Sequence, residues 1–203
     1  MSEILSDHPV TDLVPDGRYG RPDGEPGVIA RVVENLALVT VAARKGVTAS
    51  VVQAAQDAFG FPLTDAPKVS FNPDLAFIGT APGRWLAATH RAPDALISRL
   101  NTAFGDRAAL TDQSDANLVL DVYGPRVGEA LTKLVPVDIH PSVFAPGDAA
   151  ATTVALIPLL FWQLNDSPAY RFAVPRSFAP AFLRALTASA AEFGFEITGT
   201  GRG

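Results

Sequence analysis

The sequence predicts an α+β domain made of two tandem split βαβ, ferredoxin-like halves. Three observations carry this. Apolar periodicity switches between two and about 3.6 residues in the order strand, helix, hairpin, helix, short strand, and the order then repeats. Asn35-Leu-Ala-Leu-Val-Thr-Val41 matches Asn117-Leu-Val-Leu-Asp-Val-Tyr123 at an offset of 82, and Arg84-Trp-Leu-Ala87 matches Arg171-Phe-Ala-Val174 at an offset of 87. Pro93 and Leu96 recur as Pro180 and Leu183, and each half closes a helix with Phe-Gly, at 104–105 and 193–194. The pseudo-repeats are placed at about 35–110 and 117–198 of a single domain, 28–203, behind an arm of residues 1–27.

The arm carries Pro9, Pro15, Gly17, Gly20, Pro22, Gly24, Pro26 and Gly27. That composition suits neither a long helix nor a central strand. Two readings stand for it: a disordered tail, or an extended segment laid on another surface. Ile4, Leu5, Val10, Leu13, Val14 and Tyr19 favour the second, as an assembly element against a larger partner.

Asn35 to Ala43 reads as a strand from Leu36, Leu38, Val39 and Val41. A helix follows over 47–59, with Val47, Val51, Ala55, Ala58 and Phe59 on one side and Gly60 closing it. Residues 61–73, with three prolines, read as a loop. Leu75–Thr80 and Arg84–Thr89 form an antiparallel hairpin around Ala81-Pro82-Gly83. Pro93 starts a helix over 92–104, and Ala108–Leu110 is a short closing strand.

In the second half, Asn117–Tyr123 alternates Leu118, Leu120 and Val122 against Val119, Asp121 and Tyr123. Gly124-Pro125 turns into a helix over 125–135, which Pro136 ends. Residues 142–151 read as a loop. Thr153–Leu164 is a long apolar run, with Pro158 marking an edge or bulge, and Tyr170–Val174 is its hairpin partner. Ser177 is the expected N-cap of a helix over 178–193, and Glu196–Thr198 a last strand.

Composition narrows function by exclusion. With 203 residues and no cysteine, the chain can bury a core without staples and has no thiol chemistry, disulfide or cysteine zinc site. Its net charge of −5, with no basic run, argues against nucleic acid. No apolar stretch reaches the roughly 20 residues of a membrane span, and no signal peptide is evident, so the expected setting is the cytoplasm. The three histidines, His8, His90 and His140, are scattered. Phosphate-loop, dinucleotide and nucleophile-elbow motifs are absent. Asp112, Ser114 and Asp115 precede a strand and are either a polar site or a loop bonding its own backbone. Arg84 and Trp85 follow a Pro-Gly turn and are open to an anion or a partner, with Trp85 also fitting a core or interface. Arg176 is a possible anion ligand or ion-pair partner, and His140 sits before Pro141 in a loop.

Several unusual strings occur in order: Ala42-Ala-Arg-Lys-Gly46, Ile78-Gly-Thr-Ala-Pro-Gly-Arg-Trp-Leu-Ala87, Thr111-Asp-Gln-Ser-Asp115, Gly124-Pro-Arg126, Val137-Asp-Ile-His-Pro141 and Val174-Pro-Arg-Ser-Phe-Ala179. Through them the chain resembles the gamma subunits of heterotetrameric sarcosine oxidase, over roughly 35–195. The resemblance implies a folate-binding-domain fold related to the glycine-cleavage aminomethyltransferases. It also implies a non-catalytic small subunit of an oxidoreductase complex, whose larger alpha and beta subunits and small delta subunit hold FAD, FMN, NAD and tetrahydrofolate. No cofactor is expected on this chain, and no catalytic residue transfers to it. Arg84, Trp85, Asp112, Ser114, Arg126, His140 and Arg176 are the candidate ligand or partner contacts. A small subunit of N-methylglutamate dehydrogenase and a stand-alone folate-dependent aminomethyltransferase-like protein are the alternatives. The chain lacks the C-terminal barrel of full-length aminomethyltransferases.

Overall fold

The computed structural model describes residues 16–21, 23–165 and 167–199. The expectations for residues 1–15 lie outside them. Twelve strands and four α-helices run through the described residues. The first half is β3 (Ala37–Ala43), α1 (Thr48–Phe59), β4 (Val69–Asn72), β5 (Leu75–Ala81), β6 (Arg84–Thr89), α2 (Pro93–Phe104) and β7 (Ala108–Asp112). The second is β8 (Asn117–Tyr123), α3 (Val127–Thr132), β9 (Ala149–Val154), β10 (Ile157–Asn165), β11 (Ala169–Pro175), α4 (Ala179–Ala190) and β12 (Phe195–Thr198). Ahead of both lie β1 (Gly17–Tyr19) and β2 (Val28–Val32).

Each half makes its own sheet, ordered β4-β5-β6-β3-β7 and β1-β12-β2-β8-β11-β10-β9. Within each, the split βαβ order holds: the hairpin β5–β6 lies beside β3 as β10–β11 lies beside β8. The sheets pack face to face between two helix layers. Under α1 and α2 lie Val39, Val41, Phe77, Trp85 and Phe104. Under α3 and α4 lie Leu120, Val122, Phe161, Phe172 and Phe182. Between the sheets, Leu38, Ile78 and Leu86 meet Val119, Trp162 and Ala173. Strand alternation produces this layering, because each central strand is apolar on both faces.

The repeat is one of topology, and its register differs from the string match. At an offset of 82, Leu38 falls on Leu120. Yet Leu38 points between the sheets and Leu120 points under the helices. A one-residue slip reverses every side chain of a strand. A face-consistent equivalence needs an odd offset, which sets Val39, under the helices, on a helix-facing residue of β8.

Several elements differ from the sequence reading. Val69–Asn72, read as loop, is a strand bracketed by Pro67 and Pro73 and paired along β5. The apolar run 153–164 is split. Ala149–Val154 and Ile157–Asn165 form a hairpin whose turn, Ala155 and Leu156, takes positive φ of 49° and 67°. That turn normally calls for Asn or Gly, so the residues gave no signal. Helix 125–135 is α-helical only over Val127–Thr132. Beyond it, the Lys133 and Leu134 amides donate to Ala130 and Leu131, three residues back. Helix 178–193 is α-helical over Ala179–Ala190 and has a 3-10 turn at each end. Ser177 falls in the first of these turns, and no side chain caps α4. Residues 17–19 lie antiparallel on β12 as an edge strand. The segment 28–32, which carried no strand assignment, enters the second sheet between β12 and β8.

Candidate functional site

The two halves leave a cleft of about 550 Å³ where four connections meet. One wall is the crossing from β2 to β3, which takes the chain from one sheet to the other. Within it the Val33 amide donates to the Val119 carbonyl at 2.9 Å, and Asn35 turns the chain with φ 54°. Asn tolerates this left-handed conformation better than most residues. The other walls are His90–Pro93 ahead of α2, Ser114–Val119 entering β8, and Arg176 after β11.

Ser114 shows how local folding shapes this wall. β7 ends at Asp112, so β3 loses its neighbour where Leu38 still needs a hydrogen-bond acceptor. The Gln113 amide donates to the Leu38 carbonyl at 2.7 Å, and the Leu38 amide donates to Ser114 Oγ at 3.0 Å. Ser114 donates its hydroxyl to Asp112 Oδ1 at 2.7 Å, and its amide donates to the same oxygen at 2.9 Å. These bonds hold the Asp112 carboxyl below the usual carboxylate range, the hydroxyl contributing most. The motif Thr111-Asp-Gln-Ser-Asp115 therefore finishes a ladder with a side chain.

The cleft carries charges of both signs, from Glu34 and Asp115 against Arg91 and Arg176. Arg91 also pairs with Asp74 at 2.7 Å. His90 lines this cleft and two adjoining ones of about 220 and 910 Å³, and so borders all three. Behind His90, on the inter-sheet face, Arg171 grips Asp121 with two bonds of 2.6 and 2.8 Å, and both side chains are largely shielded. Asp121 also lies opposite Arg31 of β2. Among the described residues, no group of three His, Asp or Glu side chains is placed to hold a metal ion.

Of the seven residues chosen from sequence, the cleft unites Ser114 and Arg176, with Asp112 bonded just behind Ser114. The other four lie elsewhere. Arg84 is exposed at the start of β6. Trp85 is 0% exposed in the first half's core, and its indole N–H donates to the Thr64 carbonyl at 2.9 Å. Arg126 pairs with Glu129 ahead of α3 and lies 4.8 Å from the Phe193 ring centre. Its bond with Glu129 raises the arginine and lowers the carboxyl. His140 is exposed, with Nδ1 2.7 Å from Ser142 Oγ. Sequence reasoning missed Glu34, Asn35, His90 and Arg91. The one available signal was position, since His90-Arg91 immediately precedes the proline that starts a helix.

The fold and this cleft define a folate-binding-like α+β domain of two packed split βαβ sheets. Its polar residues mostly tie connections together. The sarcosine oxidase gamma subunit family matches residues 42–192, and the chain belongs to that family. The gamma subunit of sarcosine oxidase from Corynebacterium sp. (strain U-96) is 28% identical over 171 residues, 84% of this chain and 82% of the relative. That from Corynebacterium sp. (strain P-1) is 32% identical over 123 residues, covering 60% and 59%. Among solved structures, a chain of the heterotetrameric sarcosine oxidase from Corynebacterium sp. U-96, in complex with pyrrole 2-carboxylate, matches with a TM-score of 0.74 at 29% identity, over 84% of this chain and 87% of that one. The glycine cleavage aminomethyltransferase T from Bartonella henselae matches at 0.60 and 14% identity, over 87% of this chain and 48% of that one. The second likeness is one of fold.

Proposed function

We propose that this chain is the small, non-catalytic gamma subunit of a flavin-dependent heterotetrameric sarcosine oxidase, supporting the assembly that oxidatively demethylates sarcosine to glycine. The observation that carries the proposal is the family match over 42–192, joined to a structural match that spans most of both chains. In this reading larger alpha and beta subunits and a small delta subunit complete the complex in the cytoplasm. FAD, FMN, NAD and tetrahydrofolate reside on those partners. Among the described residues, no helix is long and apolar enough to cross a membrane.

The cleft supports a structural role. Ser114 is committed to Leu38 and Asp112, and Arg91 to Asp74, so these groups fasten the connections of the first half that wall the cleft. The named relatives are sarcosine oxidase subunits, which favours this reading over N-methylglutamate dehydrogenase. The chain spans about half of the aminomethyltransferase it resembles in fold. The test is co-expression with the other subunits of its host's enzyme. The chain is expected to co-purify stoichiometrically. By itself it is expected to bind no flavin and to form no peroxide from sarcosine. A yellow chain with sarcosine turnover of its own would overturn the proposal.

A further inference from the structure

The two sheets differ on one flank. In the second half, the flank of β8 carries β2, β12 and β1, and two of these three strands come from ahead of the repeat. In the first half, the flank of β3 carries β7 alone. The opposite flanks end alike in the two halves, with β4 and β9, and among the described residues neither half shows a strand beyond them. The start of β4 is moreover tied to the start of β9, by a Lys68–Asp148 bridge and by the Val69 and Ala149 amides bonding to Gly147 and Pro67.

The hydrogen-bond phase of β7 follows from its ends. The Arg44 amide donates to Arg107, and the Gln113 amide to Leu38. Antiparallel pairs alternate between bonded and non-bonded positions. With the register Ala43↔Ala108 to Val39↔Asp112, Ala109 and Thr111 bond inward to β3. Ala108, Leu110 and Asp112 turn their N–H and C=O groups away from the sheet. Of the usual protections this edge carries only its shortness and one charge at its end, Asp112, itself engaged by Ser114. Its five residues, Ala-Ala-Leu-Thr-Asp, include no proline and no lysine, and the register runs without a bulge. Leu110 sits half-buried beside the α2 core, so an added strand would find both backbone partners and an apolar side chain to cover.

We propose that β7 is a docking edge that accepts an extended segment of a larger subunit of the complex, which extends the five-stranded sheet by one strand. The segment is a short one, apolar where it lies over Leu110 and otherwise polar. The inference rests on the functional reading above. Its occupant is taken as a partner because the second half fills the same flank with strands from outside its own repeat, and among the described residues every strand of the first half is already placed in its sheet.

Amide hydrogen exchange tests it on the assembled complex. In the chain alone, Leu110 and Asp112 should exchange much faster than Ala109 and Thr111. In the complex, the amides of Leu110 and Asp112 should slow at least about tenfold, while those of Ala109 and Thr111 change little. Leu110→Pro removes an outward donor and spares the inward bonds. Thr111→Lys leaves the core untouched and places a charge on the edge. Each is expected to weaken assembly at least about tenfold with circular dichroism unchanged. Unchanged exchange at Leu110 and Asp112 in an intact complex would overturn the docking edge while sparing the functional reading. So would both variants assembling as wild type. Protection already present in a dimer of the chain alone would replace the partner with a second copy and overturn the proposal as stated. Failure of the wild-type chain to assemble at all would overturn the functional reading and this inference with it.

Discussion

Ser114 joins two strands through one oxygen. Ser114→Ala removes the acceptor of the Leu38 amide, and a part-buried donor left unpaired costs about 1–2 kcal/mol. The same change removes the hydroxyl bond to Asp112 and keeps the amide bond, so its carboxyl should rise part of the way toward its ordinary value, as a carbon-detected NMR titration would show. The sign follows from linkage. A depressed carboxyl stabilises the fold above its unfolded pKa, and that contribution is lost as pH falls through the folded value. The variant should therefore lose less stability than wild type on acidification below about pH 4. Arg171 and Asp121 form a second local unit, shielded between the sheets. Asp121→Ala alone should cost about 2 kcal/mol, since it strands a guanidinium in a poorly hydrated place. Asp121→Val with Arg171→Met should lose less than the sum of the single changes. Urea denaturation of the four proteins measures the coupling.

The hairpin turn of β9 and β10 is the clearest element-scale test. Ala155 and Leu156 hold positive φ, and Leu156 is 93% exposed. A left-handed conformation costs a residue with a side chain about 1–2 kcal/mol. Replacing the pair with Asn-Gly should raise stability by about that amount, read as a higher denaturation midpoint with an unchanged slope. The same turn explains one limit of the sequence reading. Elements with strong local chemistry were legible: α1 ends at Gly60 in the left-handed conformation, α2 starts at Pro93, and β5–β6 folds around Pro82-Gly83. A turn built from Ala-Leu carries no such mark. Strand β2 was missed for a different reason. Val-Ile-Ala-Arg-Val becomes a strand because β8 and β12 flank it, a long-range fact that no local window contains. The cleft was legible only at Ser114, Asp115 and Arg176, because its other residues come from connections whose meeting depends on how the sheets stack.

At the scale of the whole molecule, one thin layer holds the halves together. Trp162, 4% exposed, is its largest side chain and packs with Leu38, Ile78 and Leu86 across the gap. Trp162→Ala should cost about 3–5 kcal/mol, at the upper end for a single substitution. Because each half retains its own helix-covered core, unfolding of this variant should broaden or split in two, visible as non-coincident fluorescence and circular dichroism transitions.

The position of β2 also imposes an order of events during synthesis. Val28–Val32 emerges before both of its neighbours, β8 and β12, and the second neighbour is the last strand described. Between them the whole of the first sheet, Ala37 to Asp112, is contiguous and has its partners in hand once Asp112 is made. The first sheet can therefore close on the ribosome while the second keeps a gap on one side of β2 until Phe195–Thr198 arrives. Val28 and Ala30, both fully buried in the finished protein, must wait with one flank bare. A ribosome stalled just short of Phe195 would thus hold a chain with one finished sheet and one adhesive seam, the species a holdase chaperone is built to cover.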